Sequence, residues 1–174
     1  MNKRELELYI HIPFCARKCS YCDFLSFAAP ERVYREYMDK LIEEICGQGP
    51  NFQEYRVSTI FVGGGTPSIL PADLIMELFA TLSENFDIAL DAEVTLEANP
   101  GTLDAEKLKC YRKSGFNRIS IGCQSVHDEE LKRLGRIHTF AEFQESFALA
   151  RDAGLNVVMD RCPAIEIPRL GLAK

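Results

Sequence analysis

This sequence predicts an α/β chain, a parallel sheet assembled from about five βα units, and three observations predict it. Short apolar runs, β-branched or alternating, recur at residues 6–12, 57–62, 92–97, 118–121 and 156–160. Segments with apolar residues at helical spacing separate them. A loop rich in cysteine, glycine or polar residues follows the carboxyl end of each run, where α/β folds place their sites. A partial barrel and a doubly wound sheet both satisfy this pattern.

In the first run Leu6, Leu8, Ile10 and Ile12 alternate with Glu7, Tyr9 and His11, the period of a strand. The aliphatic set is expected against helices, with Tyr9 and His11 facing a barrel interior. Pro30 and Glu31 suit the first turn of a helix. Its apolar stripe is Val33, Tyr34, Tyr37, Met38, Leu41 and Ile45; Gly47 is expected to end it, with a loop at 49–51. The β-branched run 57–62 reads as a buried strand entering Gly63-Gly64-Gly65-Thr66-Pro67-Ser68. Pro71 opens a second helix with Leu74, Ile75, Leu78, Phe79 and Leu82 inward.

Ala92, Val94 and Leu96 alternate with Glu93, Thr95 and Glu97 in a third strand, and Asn99-Pro100-Gly101 is read as its turn. Thr102 is expected to cap a third helix carrying Leu103, Leu108 and Tyr111 and ending at Gly115. A fourth strand, 118–121, ends at Gly122-Cys123-Gln124-Ser125, and a short helix follows over 128–134. Thr139 with Glu142 three residues on is a capping box. It opens a helix bearing Phe143, Phe147 and Ala150, closed by Gly154 before the fifth strand.

The 174 residues are expected to form one domain. A formal charge of −6 and no Lys/Arg cluster point away from nucleic acid. No apolar run nears the ~20 residues of a membrane span, and residues 1–7 lack the apolar core of a secretory signal. Seven cysteines then imply a reducing, cytoplasmic setting and metal binding rather than disulfides. Cys46, Cys110 and Cys123 read as small buried hydrophobes, and His127 and His138 as solvated loop residues.

Cys15, Cys19 and Cys22 concentrate the chemistry, spaced C-x3-C-x2-C in the loop that begins at Pro13. A cubane iron–sulfur cluster takes a cysteine per iron, so three thiolates leave one iron open. A zinc site or unligated core cysteines are the alternatives, but zinc sites usually show paired C-x2-C knuckles, and there is no such pair here.

Tyr9-Ile10-His11-Ile12-Pro13-Phe14-Cys15, the cysteine spacing and Gly63-Gly64-Gly65-Thr66-Pro67 together resemble the radical S-adenosylmethionine (SAM) superfamily. Within it the likeness is to the oxygen-independent coproporphyrinogen III oxidases and their haem-chaperone relatives, over about residues 8–160. That resemblance implies an incomplete (β/α) barrel, a [4Fe–4S] cluster on the three cysteines, and SAM as second cofactor. In such proteins an electron from the reduced cluster cleaves the sulfonium and yields a 5′-deoxyadenosyl radical; the cofactor carries the hard chemistry and the protein positions it.

The resemblance assigns the methionine moiety of SAM to the backbone of Gly64, Gly65 and Thr66. It assigns further contacts to Tyr9, Tyr21, Glu97, Gln124, Arg136 and Asp160, with Arg136 suited to the carboxylate and the other polar groups to the ammonium and ribose. Oxidases of the group carry another cysteine two positions after the third ligand, where this chain has Phe24. A haem chaperone is therefore expected, with haem or porphyrin, a haem acceptor and an electron donor as partners. A coproporphyrinogen oxidase and an inactive fragment are the alternatives. Beyond Asp160 the likeness stops: residues 161–174, with Cys162, Pro163 and Pro168, read as an atypical tail left by truncation or frameshift, with a carboxyl-terminal domain missing, a naturally short protein with a tail of its own being the alternative.

Overall fold

The structure, a computed structural model, describes residues 3–161. Strands and helices alternate as β1 (Arg4–Ile12), α1 (Glu31–Gln48), β2 (Tyr55–Gly64), α2 (Ala72–Asn85), β3 (Ile88–Ala98), α3 (Ala105–Ser114), β4 (Arg118–Gln124), α4 (Asp128–Arg133), α5 (Phe140–Asp152) and β5 (Asn156–Arg161). All neighbouring strands are parallel and lie in chain order, β1-β2-β3-β4-β5. A doubly wound sheet reverses its order at a switch point; with no reversal every crossover advances the same way. The sheet is the wall of a partial barrel, as expected. Cys162 and the proline-broken tail lie outside the described residues.

Period-two alternation divides each strand between two faces. Ile10, Ile12, Ile60, Val62, Val94, Leu96, Ile119 and Ile121 pack into one core with Met38, Leu78 and Leu108 of the helices. Each such side chain removed from water contributes about 1.5–3 kcal/mol. The helices lie side by side over it, α1 on α2, α2 on α3 and α3 on α5. On the opposite, inner face the register aligns Tyr9 with Phe61, Phe61 with Thr95 and Thr95 with Arg118.

Several boundaries differ from expectation. α1 continues through Gly47, beside which an added Cβ would meet nothing within 4 Å. At Gly49 an added Cβ would stand 2.9 Å from Asn85, and this glycine opens a 3-10 turn, Gly49–Phe52, where a loop was expected. β3 begins at Ile88 because a register slip between Val57 and Thr59 lets extra residues join the strand. Asp104 caps α3, accepting from the Lys107 N–H at 2.8 Å; the Thr102 hydroxyl instead donates to the Asn99 carbonyl at 2.7 Å. The Thr139–Glu142 capping box forms as read. Phe147, placed in an apolar stripe, is 37% exposed, and Cys46 is exposed, whereas Cys123 is buried. Among the described residues no helix is long and apolar enough to cross a membrane.

Tyr111 is fully buried, and among the described residues its hydroxyl has no hydrogen-bond partner. Burial pushes the phenol far above its ordinary pKa. A buried polar group without a partner costs about 1–3 kcal/mol. Tyr111→Phe is expected to leave thermal stability unchanged or raised, and a fall of several degrees would reveal a partner for the hydroxyl.

Candidate functional site

β1 ends at Ile12 and delivers the cysteine loop to the carboxyl end of the sheet. The loop closes on itself, with Cys15 N–H donating to Phe27 O at 3.0 Å and Phe27 N–H to Pro13 O at 2.9 Å. Phe14 anchors it, fully buried among the rings of Tyr34, Tyr37 and Phe27 at 4.7, 5.2 and 5.7 Å. Gly65 N–H and Thr66 N–H donate to Ile12 O and Phe14 O, each at 2.7 Å, and bind the glycine loop to the cysteine loop. His11 Nε2 donates to Leu25 O at 2.9 Å, and its Nδ1 lies 3.2 Å from the Tyr9 hydroxyl.

Between the loops and the inner face lies a cavity of about 550 Å³, within the usual range of small-molecule sites. Cys15, Cys19, Cys22, Tyr21, Gly64, Gly65, Thr66, Glu97, Gln124, Arg136 and Asp160 all line it. Of the residues singled out in the sequence only Tyr9 stands outside the lining; it stacks on Phe61, which lines the cavity, at 6.1 Å. A surface groove of about 690 Å³ beside α4 and α5 contains none of them.

The three thiols are free and half-buried. Each has its own polar neighbour: Thr66 Oγ1 at 3.6 Å from Cys15, Arg136 Nη1 at 3.5 Å from Cys19, and Ser26 Oγ at 3.9 Å from Cys22. Among the described residues no three His, Cys, Asp or Glu side chains converge on one point fit for a single ion. A cubane cluster does not require such convergence, because its thiolates bind different irons.

Glu97 rises from the end of β3 and leans over Gly63, where a Cβ would stand 2.6 Å from the carboxylate. Its Oε2 accepts from Gly64 N–H at 2.8 Å. Burial raises its pKa, against the pull of that N–H, and Asp160 raises it further. Asp160 itself accepts from Ser120 at 2.6 Å. Gln124 holds a positive φ of 67°, a strained conformation of the kind that clusters at functional sites. Arg136 spends Nη2 on Asn99 Oδ1 at 2.5 Å and on Gly122 O at 2.8 Å. Its Nε is buried and, among the described residues, finds no acceptor.

Two residues near this cavity, His138 and Asn99, have roles other than those read from the sequence. His138 was expected in solvent, yet it is buried with Nε2 3.2 Å from Cys123 O, and burial together with Arg136 lowers its pKa. His127 is exposed, as expected. Asn99, read as a turn residue, joins Arg136 to Thr66. Its place directly after a strand's carboxyl end was the only signal.

Comparison with known proteins places this geometry. The profile of the radical SAM superfamily matches residues 9–166. The heme chaperone HemW of Escherichia coli is 45% identical over 151 residues, 86% of this chain and 40% of that protein. The heme chaperone HemW of Haemophilus influenzae is 43% identical over 155 residues, again 86% of this chain and 40% of the relative. The chain thus spans about two fifths of the length of these curated relatives. Among solved structures, coproporphyrinogen III oxidase (HemN) from Escherichia coli, a radical SAM enzyme, superposes with a TM-score of 0.83 at 32% identity, covering 90% of this chain and 37% of its own.

Proposed function

The chain belongs to the radical SAM superfamily, and on that premise we propose that it carries the cluster- and SAM-binding part of a haem chaperone. One observation carries the reading: three free thiols and eight of the nine residues assigned to SAM line a single cavity. Cys15, Cys19 and Cys22 would hold a [4Fe–4S] cluster; it supplies an electron and, at its open iron, a chelating position for the amino-acid end of SAM. Arg136, which lines the cavity, receives the carboxylate. Glu97 and the backbone of Gly64, Gly65 and Thr66 receive the ammonium and methionine chain. Asp160 and Gln124 serve the ribose, and Tyr21 the remaining wall.

Phe24 favours the chaperone over the decarboxylase. It stands where oxidases carry a further cysteine, and it is 63% exposed at the rim of the cavity. The fold likeness to coproporphyrinogen III oxidase supports decarboxylation as the second reading. Haem or porphyrin, a haem acceptor and an electron donor are the partners proposed, in a reducing cytoplasm that suits six free cysteines among the described residues. The test is anaerobic reconstitution followed by haem titration and a coproporphyrinogen decarboxylation assay. Haem bound without decarboxylation supports the chaperone; turnover of the porphyrinogen overturns it.

Glu97 gives the site a pH dependence. Its folded pKa is raised by burial, so the protonated form is favoured in the fold, and whatever stability this adds at low pH is lost as pH rises through the folded value. An ammonium needs the carboxylate form. SAM affinity is therefore expected to fall on acidification through a pKa above the ordinary carboxylate range. Glu97→Gln should bind SAM more weakly and remove that dependence; an unchanged pH profile in the variant would assign it elsewhere.

A further inference from the structure

We propose that Asn99 is the positioning residue of this site, holding through its two amide atoms the guanidinium that receives SAM and the hydroxyl that donates to a cluster thiolate. The inference rests on the cluster-and-SAM reading of the cavity and adds to it a residue that reading leaves out. Asn99 Oδ1 accepts from Arg136 Nη2 at 2.5 Å, and Asn99 Nδ2 donates to Thr66 Oγ1 at 2.8 Å. Arginine has only donors, so the oxygen must face Arg136 and the nitrogen must face Thr66. The Thr66 hydroxyl, its lone pair engaged, turns its hydrogen toward Cys15 at 3.6 Å. Arg136 Nη1 reaches Cys19 at 3.5 Å. One amide thus sets the direction of donors to two of the three cysteines, and it orients the guanidinium whose Nε is left without an acceptor among the described residues.

The side chain is not needed for the turn itself. Thr102 N–H and the Thr102 hydroxyl close that turn on the Asn99 backbone carbonyl, at 3.2 and 2.7 Å. The Asn99 N–H is held separately by Ser68 Oγ at 3.4 Å. Gly122 completes the fit: a Cβ there would stand 2.8 Å from Asn99 Oδ1 and 3.1 Å from Arg136 Nη2, so the pair occupies the space a side chain would need. Hydrogen bonds to ligating sulfurs raise a cluster's reduction potential. Groups that orient ligands and cofactor contacts typically change affinity about 10–100-fold when removed.

The test compares the reconstituted chain with its Asn99→Leu and Thr66→Val variants, reading iron content, midpoint potential by EPR-monitored titration, and SAM affinity from the perturbation of the EPR signal. Asn99→Leu should load iron like the parent, shift the potential negative and weaken SAM about 10–100-fold. Thr66→Val removes the hydroxyl that donates to Cys15 while the Asn99–Arg136 contact stays, so it should shift the potential negative as well. If Asn99→Leu fails to fold, the Thr66→Val potential still decides. Parental potential and SAM affinity in Asn99→Leu, or a parental potential in Thr66→Val, overturns the proposal. A parent chain that loads no iron overturns the cluster reading and this inference with it; a parent that loads iron and binds SAM while the variants match it overturns this inference alone.

Discussion

Replacing Cys15, Cys19 or Cys22 by alanine is expected to abolish cluster loading, from about four irons per chain to essentially none after anaerobic reconstitution. The effect is large because no substitute ligand stands by. Among the described residues no group of three His, Cys, Asp or Glu is gathered for a single ion that could take the cluster's place. The remaining described cysteines lie on other elements: Cys46 is exposed in α1, Cys110 is half-buried in α3, and Cys123 is buried in β4 with its thiol 3.4 Å from Ser125 O. Alanine at Cys46, Cys110 or Cys123 should therefore leave iron content unchanged. Iron and acid-labile sulfide analysis with the visible charge-transfer band is the measurement. Stoichiometric zinc without iron in the parent chain, or iron retained in all three loop variants, would sink the cluster reading.

Much of this was legible in one dimension, for physical reasons. The outer face of this sheet packs on helices while its inner face opens on a polar cavity, so the aliphatic alternation of Leu6 to Ile12 and Ala92 to Leu96 announces both the strand and the face turned to the helices. Loops at the carboxyl ends of parallel strands converge, which is why residues as far apart as Cys19 and Arg136 come to share a cavity. What alternation leaves open is strand order. Only the pairing of neighbours in chain order separates a partial barrel from a doubly wound sheet.

Other features were illegible because they depend on long-range partners. Asn99 has the local signature of a turn, Asn before Pro, and nothing nearby in the chain indicates that its amide meets Arg136, 37 residues on. His138 sits between Ile137 and Thr139 with no periodic context, yet its ring is buried against the Cys123 carbonyl. Gly47 carried the signature of a helix stop, but the helix runs on to Gln48 and the 3-10 turn begins at Gly49, the position where Asn85 leaves no room for a Cβ. Thr102 was a sound capping residue by type; Asp104 takes the role because the Thr102 hydroxyl is already committed to the Asn99 turn.

Gly65→Ala should be among the most damaging single-methyl additions in this chain, and Gly47→Ala among the most benign. At Gly65 a Cβ would lie 2.5 Å from Phe14 O and 2.8 Å from Ile12 O, both backbone atoms. Neither carbonyl can simply turn aside, because Thr66 N–H and Gly65 N–H are bonded to those same oxygens at 2.7 Å. Relief requires the cysteine loop to move off the glycine loop, which separates Cys15 from Thr66 and disturbs the cavity at its centre. Overpacking of this kind costs about 1–3 kcal/mol, and a domain of this size loses about 2–4 °C of melting temperature per kcal/mol. A fall of several degrees is expected, together with reduced iron loading, since the loop that carries the thiols is the part displaced. At Gly47, inside α1, an added Cβ meets nothing within 4 Å. There the lower helix propensity of glycine is the only consideration, so alanine should stabilise by about 0.5–1 kcal/mol. Thermal unfolding of the two variants beside the parent measures opposite signs for the same chemical change. Equal melting temperatures would mean that the contact between the two loops is looser than these distances imply.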